Sequence, residues 1–289
     1  MKSLQINTAA EERATRVVID PGAAARAGSY VEPLRPSKVL LVSETTVAPL
    51  YADAVLASLR SAGLDTEVEV FAAGEASKSP RQVEAIHNRL AAMALGRDGL
   101  VLVLGGGVVS DVAGFAAATW MRGVRLVICP TTMEAMLDAA IGGKTGVNLP
   151  AGKNLVGAFH HPTLVLIDPT TLSTLPQRDV RAGLAESIKH ALVFDEAVVA
   201  WHEASVESVL RLEPATLTEL IHHNLRIKAE VVAADPYERA GRRALLNFGH
   251  TIGHALEAEC GYALRHGECV AMGMAAALSL SVRCAGLPA

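Results

Sequence analysis

The chain has few aromatic residues, 4 % of 289, and only four cysteines, at 129, 260, 269 and 284. None of the cysteines stands in a Cys-x-x-Cys spacing, which fits reduced thiols, and no chemistry is assigned to them. An excess of positive charge is also missing. The formal net charge is −4, so nucleic acid and anionic membrane are not expected partners, and any basic site has to be local. Residues 1 to 30 lack a basic start followed by an apolar stretch, so no signal peptide is expected and the location is read as cytoplasmic. The longest apolar stretch, Val270 to Val282, is interrupted by Gly273 and serines. It is too short for a bilayer and reads as a buried helix.

What remains is an Ala/Val/Leu-rich chain, 51 % hydrophobic and long enough for two domains, in the composition range of α/β enzymes. Short β-branched runs recur at Arg16 to Asp20, Lys38 to Val42, Glu67 to Phe71, Gly99 to Leu104 and Arg125 to Cys129. Helical patterns such as Tyr51 to Ala62 and Pro80 to Met93 lie between several of them. That alternation predicts an α/β domain with a largely parallel sheet and a ligand at the strands' carboxyl ends. From about residue 170 the pattern is helical: Val180 to Phe194, Asp195 to Leu212, Ala215 to Ala234, Arg243 to Glu259 and Glu268 to Cys284. A boundary near Asp168-Pro169 follows, giving an α/β domain over 1–168 and an all-helical domain over 169–289, with the site in the cleft between them.

Three local patterns carry chemistry. The strand ending at Leu104 meets a helix through Gly105-Gly106-Gly107, with Ser110 and Asp111 following. Consecutive glycines let backbone approach a ligand, and the helix N-terminus offers N–H groups to a pyrophosphate. Yet the Gly-x-Gly-x-x-Gly fingerprint is absent, and a tight packing turn fits the segment as well. A second pattern joins His250 and His254, which are four apart and share a face if residues 247 to 258 are helical. Such a face is either an ordinary histidine pair or two metal ligands, with His266 and an upstream carboxylate as further ligand candidates. In Arg181 to Leu192 the apolar stripe Leu184, Ile188, Ala191 and Leu192 leaves Glu186 and Lys189 together on another face. Taken alone, that pair reads as a surface ion pair. The third pattern, Pro130 to Phe159, is dense in Gly, Lys, Asn and Thr, as a solvated loop or a site for a phosphorylated polyol would be.

Taken in order, Gly105 to Asp111, Met121-Arg122-Gly123, Pro130 to Thr132, Gly142 to Asn148, Gly152 to Asn154, Gly183 to Lys189, Asn247 to His254 and His266 to Glu268 resemble 3-dehydroquinate synthases. The resemblance implies a fold like that of glycerol dehydrogenases, with NAD in the N-terminal domain and one zinc or cobalt ion in the helical domain. It implies Glu186, His250 and His266 as metal ligands and gives His254 a proton-transfer role, against the two-ligand reading of the helix face. For NAD it points to Glu75, Lys78, Gly106, Gly107, Asp111, Thr131, Thr132, Lys144, Lys153 and the stretch Thr171, Leu172, Ser173 and Thr174. For catalysis and substrate it points to Arg122, Asp138, Lys144, Lys153, Asn154, Lys189, Lys228, Arg243 and Asn247. The implied reaction turns 3-deoxy-arabino-heptulosonate 7-phosphate into 3-dehydroquinate and phosphate in a homodimer, with Arg122 reaching across the interface.

Some features depart from the family. Members carry a further helical segment beyond the position of Ala289, so the resemblance implies a helical domain incomplete at its C-terminus. Ser110 stands where glycine is usual, Ala139-Ala140 where serines are usual, and one extra residue lies between Lys228 and Arg243. Rival readings are a 2-deoxy-scyllo-inosose or valiolone synthase, a glycerol-dehydrogenase-like enzyme, and a non-catalytic NAD-binding chain.

Overall fold

The computed structural model describes residues 14–261 and 263–288; the segment bearing on a signal peptide lies largely outside them. Along the chain run β1 (Arg16–Ile19), α1 (Ala27–Val31), β2 (Val39–Glu44), α2 (Ala48–Ser61), β3 (Thr66–Phe71), α3 (Pro80–Ala92), β4 (Leu100–Gly105), α4 (Gly107–Thr119) and β5 (Arg125–Pro130). A π-turn at Ala135–Ala139 leads into β6 (Lys144–Leu149), β7 (Gly152–Phe159) and β8 (Leu164–Ile167). The remainder is helical: α5 (Gln177–Phe194), α6 (Glu196–Leu210), α7 (Pro214–Ala234), α8 (His250–Glu259) and α9 (His266–Cys284).

Six strands form one parallel sheet in the order β1-β8-β5-β4-β2-β3. Alternate residues of each central strand feed two cores. Val39, Leu41, Leu100, Leu102 and Leu104 pack toward α1 and α2. Leu40, Val42, Val101 and Val103 share the other core with α3, α4 and, farther on, Val180 of α5 and Leu217, Leu220 and Ile221 of α7. The helical part therefore continues one core of the sheet. From β2 the chain steps to β3 on one side, while β4, β5 and β8 lie on the other, so strand order reverses beside β2 and β4. The carboxyl ends there form the crevice in which such sheets take ligands.

Four expectations need correction. The strand β8 was not foreseen, because Leu164-Val165-Leu166-Ile167 is a short buried run with no period of its own. The Gly/Lys/Asn-rich middle segment is no simple loop: β6 and β7 pair as an antiparallel hairpin. The helix expected over 243–259 breaks. Residues Arg242–Asn247 make 3-10 turns, Gly249 takes φ +79°, and α8 starts at His250, a turn that glycine permits without Cβ strain. Finally, the buried helix expected over 270–282 is longer and one-sided. Cys269, Val270, Gly273 and Met274 are buried, while Met272, Leu280 and Val282 are exposed. By length and composition α9 is long and apolar enough to cross a membrane. Its packed face nevertheless meets backbone: a Cβ on Gly267 would lie 1.9 Å from the Ala182 carbonyl of α5.

That contact sets how close α9 can come to α5. Gly267→Val should therefore lower the unfolding free energy by about 1–3 kcal/mol or more through overpacking, read as a fall in the denaturant midpoint at unchanged slope.

Candidate active site

Helix α5 presents its polar face inward, opposite to the surface pair its sequence suggests. Glu186 and Lys189 are each 2 % exposed and hydrogen-bonded to one another, while Ile188 and Leu192 of the apolar stripe are 42 % exposed. A buried carboxylate needs cations and donors. Lys189 serves one oxygen, Oε2. The other, Oε1, is buried without a hydrogen-bond partner. It lies 3.7 Å from His250 Nε2 and 3.7 Å from His266 Nε2.

These three atoms lie within 4.8 Å of one another. Ligands about 2.1 Å from a shared tetrahedral ion stand roughly 3.4 Å apart, close to what is seen. The outer nitrogens are also held. His250 Nδ1 is 3.3 Å from the Phe248 carbonyl, and His266 Nδ1 is 3.4 Å from Glu257 Oε1. Such bonds leave each Nε2 to face the gap, as metal-binding histidines require. The local field favours a cation. Burial lowers His266, yet Glu186, Glu134 and Glu257 outweigh it and raise the imidazole to about 9. Burial and the neighbouring carboxylates Glu186, Asp138 and Glu257 raise Glu134, against the pull of His266. The residues thus fit a zinc- or cobalt-like ion. His254 sits beside them, 5.2 Å from His250 and 5.8 Å from His266 between ring centroids. It is exposed where the trio is sheltered. Two overlapping sets, Asp138 with Glu186 and His190, and His254 with Glu257 and His266, have similar spacing. The first already has Lys228 against Asp138, and the second lacks Glu186.

Beyond Lys189 the floor is cationic. Lys228 Nζ is 2.6 Å from Asp138 Oδ1 and also donates to the Asp138 carbonyl. Burial lowers the Lys228 amine, and Asp138 opposes that. Burial would raise Asp138, but Lys228, Lys189 and His190 hold it well below the usual carboxylate range. Arg243, also buried, donates to the carbonyls of Gly142 and Pro236 at 3.2 and 3.1 Å, and its Nε has no partner. A buried guanidinium held by neutral carbonyls is suited to an anionic ligand. Lys144 lies nearer the rim, 2.7 Å from Glu238 and half exposed, and Asn247 is exposed at the end of the turns before α8.

The α/β half contributes a second cradle. Gly106 precedes α4, whose first turn has no side-chain cap. A Cβ on Gly106 would lie 2.9 Å from Thr132 Cγ2. Thr131, at the end of β5, has a buried hydroxyl without a partner. Free N–H groups and an orphaned hydroxyl at the strands' carboxyl ends fit a dinucleotide. Lys78 pairs with Asp111, which burial raises and Lys78 lowers. Glu75 accepts from Asn148 at 2.7 Å, Asn148 Oδ1 accepts the Asn154 N–H at 3.0 Å, and Lys153 Nζ is 4.0 Å from Glu75. The hairpin turn and the loop before α3 are thereby joined. The stretch after β8 is less available. Leu172 is fully buried, and the hydroxyls of Thr171, Ser173 and Thr174 bond within their own turn, Thr174 also to Tyr51. Arg122 is not brought here at all. It is exposed beyond the C-terminal end of α4 with φ +71°, some 20 Å along that helix from Gly106.

The family description "3-dehydroquinate synthase N-terminal" matches residues 68–182, and "3-dehydroquinate synthase C-terminal" matches residues 183–289. The 3-dehydroquinate synthase of Symbiobacterium thermophilum is 49 % identical over 267 residues, covering 92 % of this chain and 74 % of that protein. The chain belongs to the 3-dehydroquinate synthase family. Among solved structures it resembles 2-epi-5-epi-valiolone synthase from Streptomyces hygroscopicus, solved with NAD+ and Zn2+, at TM-score 0.86 and 32 % identity over 94 % of this chain and 75 % of that one. It also resembles 2-deoxy-scyllo-inosose synthase, solved with carbaglucose-6-phosphate, NAD+ and Co2+, at TM-score 0.88 and 29 % identity over 94 % and 74 %. The two family descriptions meet inside α5, between Ala182 and Gly183.

Sequence reasoning missed Glu257 and Glu134. Glu257 was legible: it follows His250 and His254 at i+7 and i+3 on the stripe of α8 that faces the trio. Glu134 had no such signal, since it precedes a π-turn that no pattern announces. Because Glu257 orients His266, Glu257→Gln should weaken metal affinity roughly ten- to a hundredfold. Titration of the metal-free protein against a chromophoric chelator measures this, and an unchanged affinity would mean His266 needs no support.

Proposed function

We propose that this chain is a carbon–oxygen lyase that converts 3-deoxy-arabino-heptulosonate 7-phosphate to 3-dehydroquinate and phosphate, with no net redox change. The observation that carries the reading is the union of an orphaned, buried Glu186 oxygen facing His250 and His266 with a floor of buried cations, Lys189, Lys228 and Arg243. NAD and a zinc or cobalt ion, when bound, would supply a hydride acceptor and a Lewis acid for the hydroxyl undergoing oxidation. Glu186, His250 and His266 would hold the metal. Gly106, Gly107, Thr131, Thr132 and the Lys78–Asp111 pair would cradle the nucleotide, with Glu75, Lys144, Lys153 and the Thr171–Thr174 turn around it.

The chain's own side chains account for the remaining work. Arg243, Lys228, Lys153 and Asn154 would bind the phosphate and carboxylate, anions that a guanidinium fork and ammonium groups recognise and orient. His254, exposed beside the metal trio, would move a proton at the substrate hydroxyl. Asp138, fixed against Lys228, and Asn247 would orient the sugar chain. Phosphate-handling cations distinguish this reading from a simple polyol dehydrogenase, which would release reduced cofactor. The domain division at Asp168–Pro169, a cytoplasmic location and a homodimer belong to the same proposal. The distance of Arg122 from its own site supports a role for it in the partner's site.

Incubation with NAD, cobalt and the heptulosonate phosphate should give phosphate release without accumulating NADH absorbance. Accumulating NADH, or release only from a different sugar phosphate, would contradict the reading. His254→Asn should lower kcat by about a hundredfold or more while leaving metal affinity unchanged, since His254 is placed as a proton carrier and not as a ligand.

A further inference from the structure

Behind Asp138, between α5, α6 and α7, lies a line of polar side chains to which the reaction above assigns nothing: His190, Asn224, Ser187 and His202. His190 and Asn224 are almost wholly buried, as is Ser187. Asp138 Oδ1 is 3.2 Å from His190 Nε2, a contact without hydrogen-bond geometry, and His190 Nδ1 is hydrogen-bonded to Asn224 Oδ1 at 3.0 Å. Asn224 Nδ2 is 2.7 Å from Ser187 Oγ, and Ser187 Oγ is 2.6 Å from His202 Nε2.

The direction of every bond follows from two backbone carbonyls, which can only accept. Asn224 Nδ2 lies 2.7 Å from the Leu220 carbonyl. The amide nitrogen must point there, so the Asn224 oxygen must face His190. His190 Nδ1 is therefore the protonated nitrogen. At the other end His202 Nδ1 lies 2.6 Å from the Val198 carbonyl and carries the hydrogen. Burial lowers the His202 imidazole below its usual range, leaving Nε2 free to accept from the Ser187 hydroxyl. Ser187 then accepts from Asn224. No member of the line can be reversed without setting two acceptors against each other.

With Nδ1–H committed to Asn224, His190 turns Nε2 toward the Asp138 carboxylate. That carboxylate also faces Lys228 from α7 and, nearby, Lys189 and Glu186 from α5. We propose that His190 is a positioning residue, its tautomer set by Asn224, Ser187 and His202, that presents Nε2 to the Asp138 carboxylate and so orients that group at the substrate floor. The bond directions stand on geometry alone, whereas the part played in turnover rests on the dehydroquinate synthase reading.

Two-bond proton–nitrogen correlation spectra of protein labelled with 15N-histidine test the first point without substrate. A signal lost in His190→Gln identifies the residue. Wild type should show His190 protonated at Nδ1; a neutral ring protonated only at Nε2 would overturn the proposal. Two variants test the second point. Asn224→Leu and Asn224→Asp both lose the bond to Leu220, but only Asn224→Asp keeps an acceptor for His190. Asn224→Leu should lose the Nδ1–H signature and lower kcat about tenfold or more with little change in KM, and Asn224→Asp should restore most of it. Equal loss in both variants would reduce Asn224 to a structural role and overturn the assignment. If Asn224→Leu does not fold, or the wild type releases no phosphate, the wild-type tautomer decides the matter by itself.

Discussion

One buried carboxylate governs the helical half. Glu186 is taken out of water and must be compensated on both oxygens. Lys189 on the same helix serves one, and the second is left to whatever His250 and His266 can share. Breaking such a pair by removing one partner costs about 3–5 kcal/mol, so α5 is committed to burying the face that carries it. The apolar side chains Ile188 and Leu192 are left outside as a consequence. The close approach of α9 at Gly267 and the left-handed Gly249 before α8 bring the two imidazoles to that carboxylate.

The α/β half is organised by a different need, that of backbone rather than side chains. At the reversal of strand order the chain ends β4 in three glycines and β5 in Pro130-Thr131-Thr132, so N–H groups and one unpartnered hydroxyl face the crevice. The hairpin β6–β7 then ties that crevice to the loop before α3 through Asn148. Helix α5 joins the two halves. Its first turns complete a core of the sheet through Val180 and Leu184, and its next turn carries Glu186.

Much of this was readable from the chain alone. The parallel sheet followed from β-branched runs separated by helical periods, and the switch to helices near residue 170 followed from their disappearance. The two histidines four apart were legible as a face, although their helix starts later than expected because a glycine, read as part of a continuous pattern, takes a left-handed turn. Helix α5 shows where pattern reading fails. Binary patterning assigns the apolar stripe to the core and the Glu186–Lys189 pair to solvent; Leu184 and Ala191 are buried as assigned, but the pair is buried too while Ile188 and Leu192 are exposed, an outcome that only tertiary context decides. The hairpin was hidden for a related reason, since its Gly-, Lys-, Asn- and Thr-rich sequence lacks the alternation that marks a strand. The line from His190 to His202 left no trace, as its members come from three helices and share no period.

Anomalous diffraction at the metal edge, from crystals of the protein loaded with zinc or cobalt, tests the central claim most directly. The account predicts one peak about 2 Å from Glu186 Oε1, His250 Nε2 and His266 Nε2, with Lys189 still on Glu186 Oε2. A peak between Asp138, Glu186 and His190, or between His254, Glu257 and His266, would contradict it.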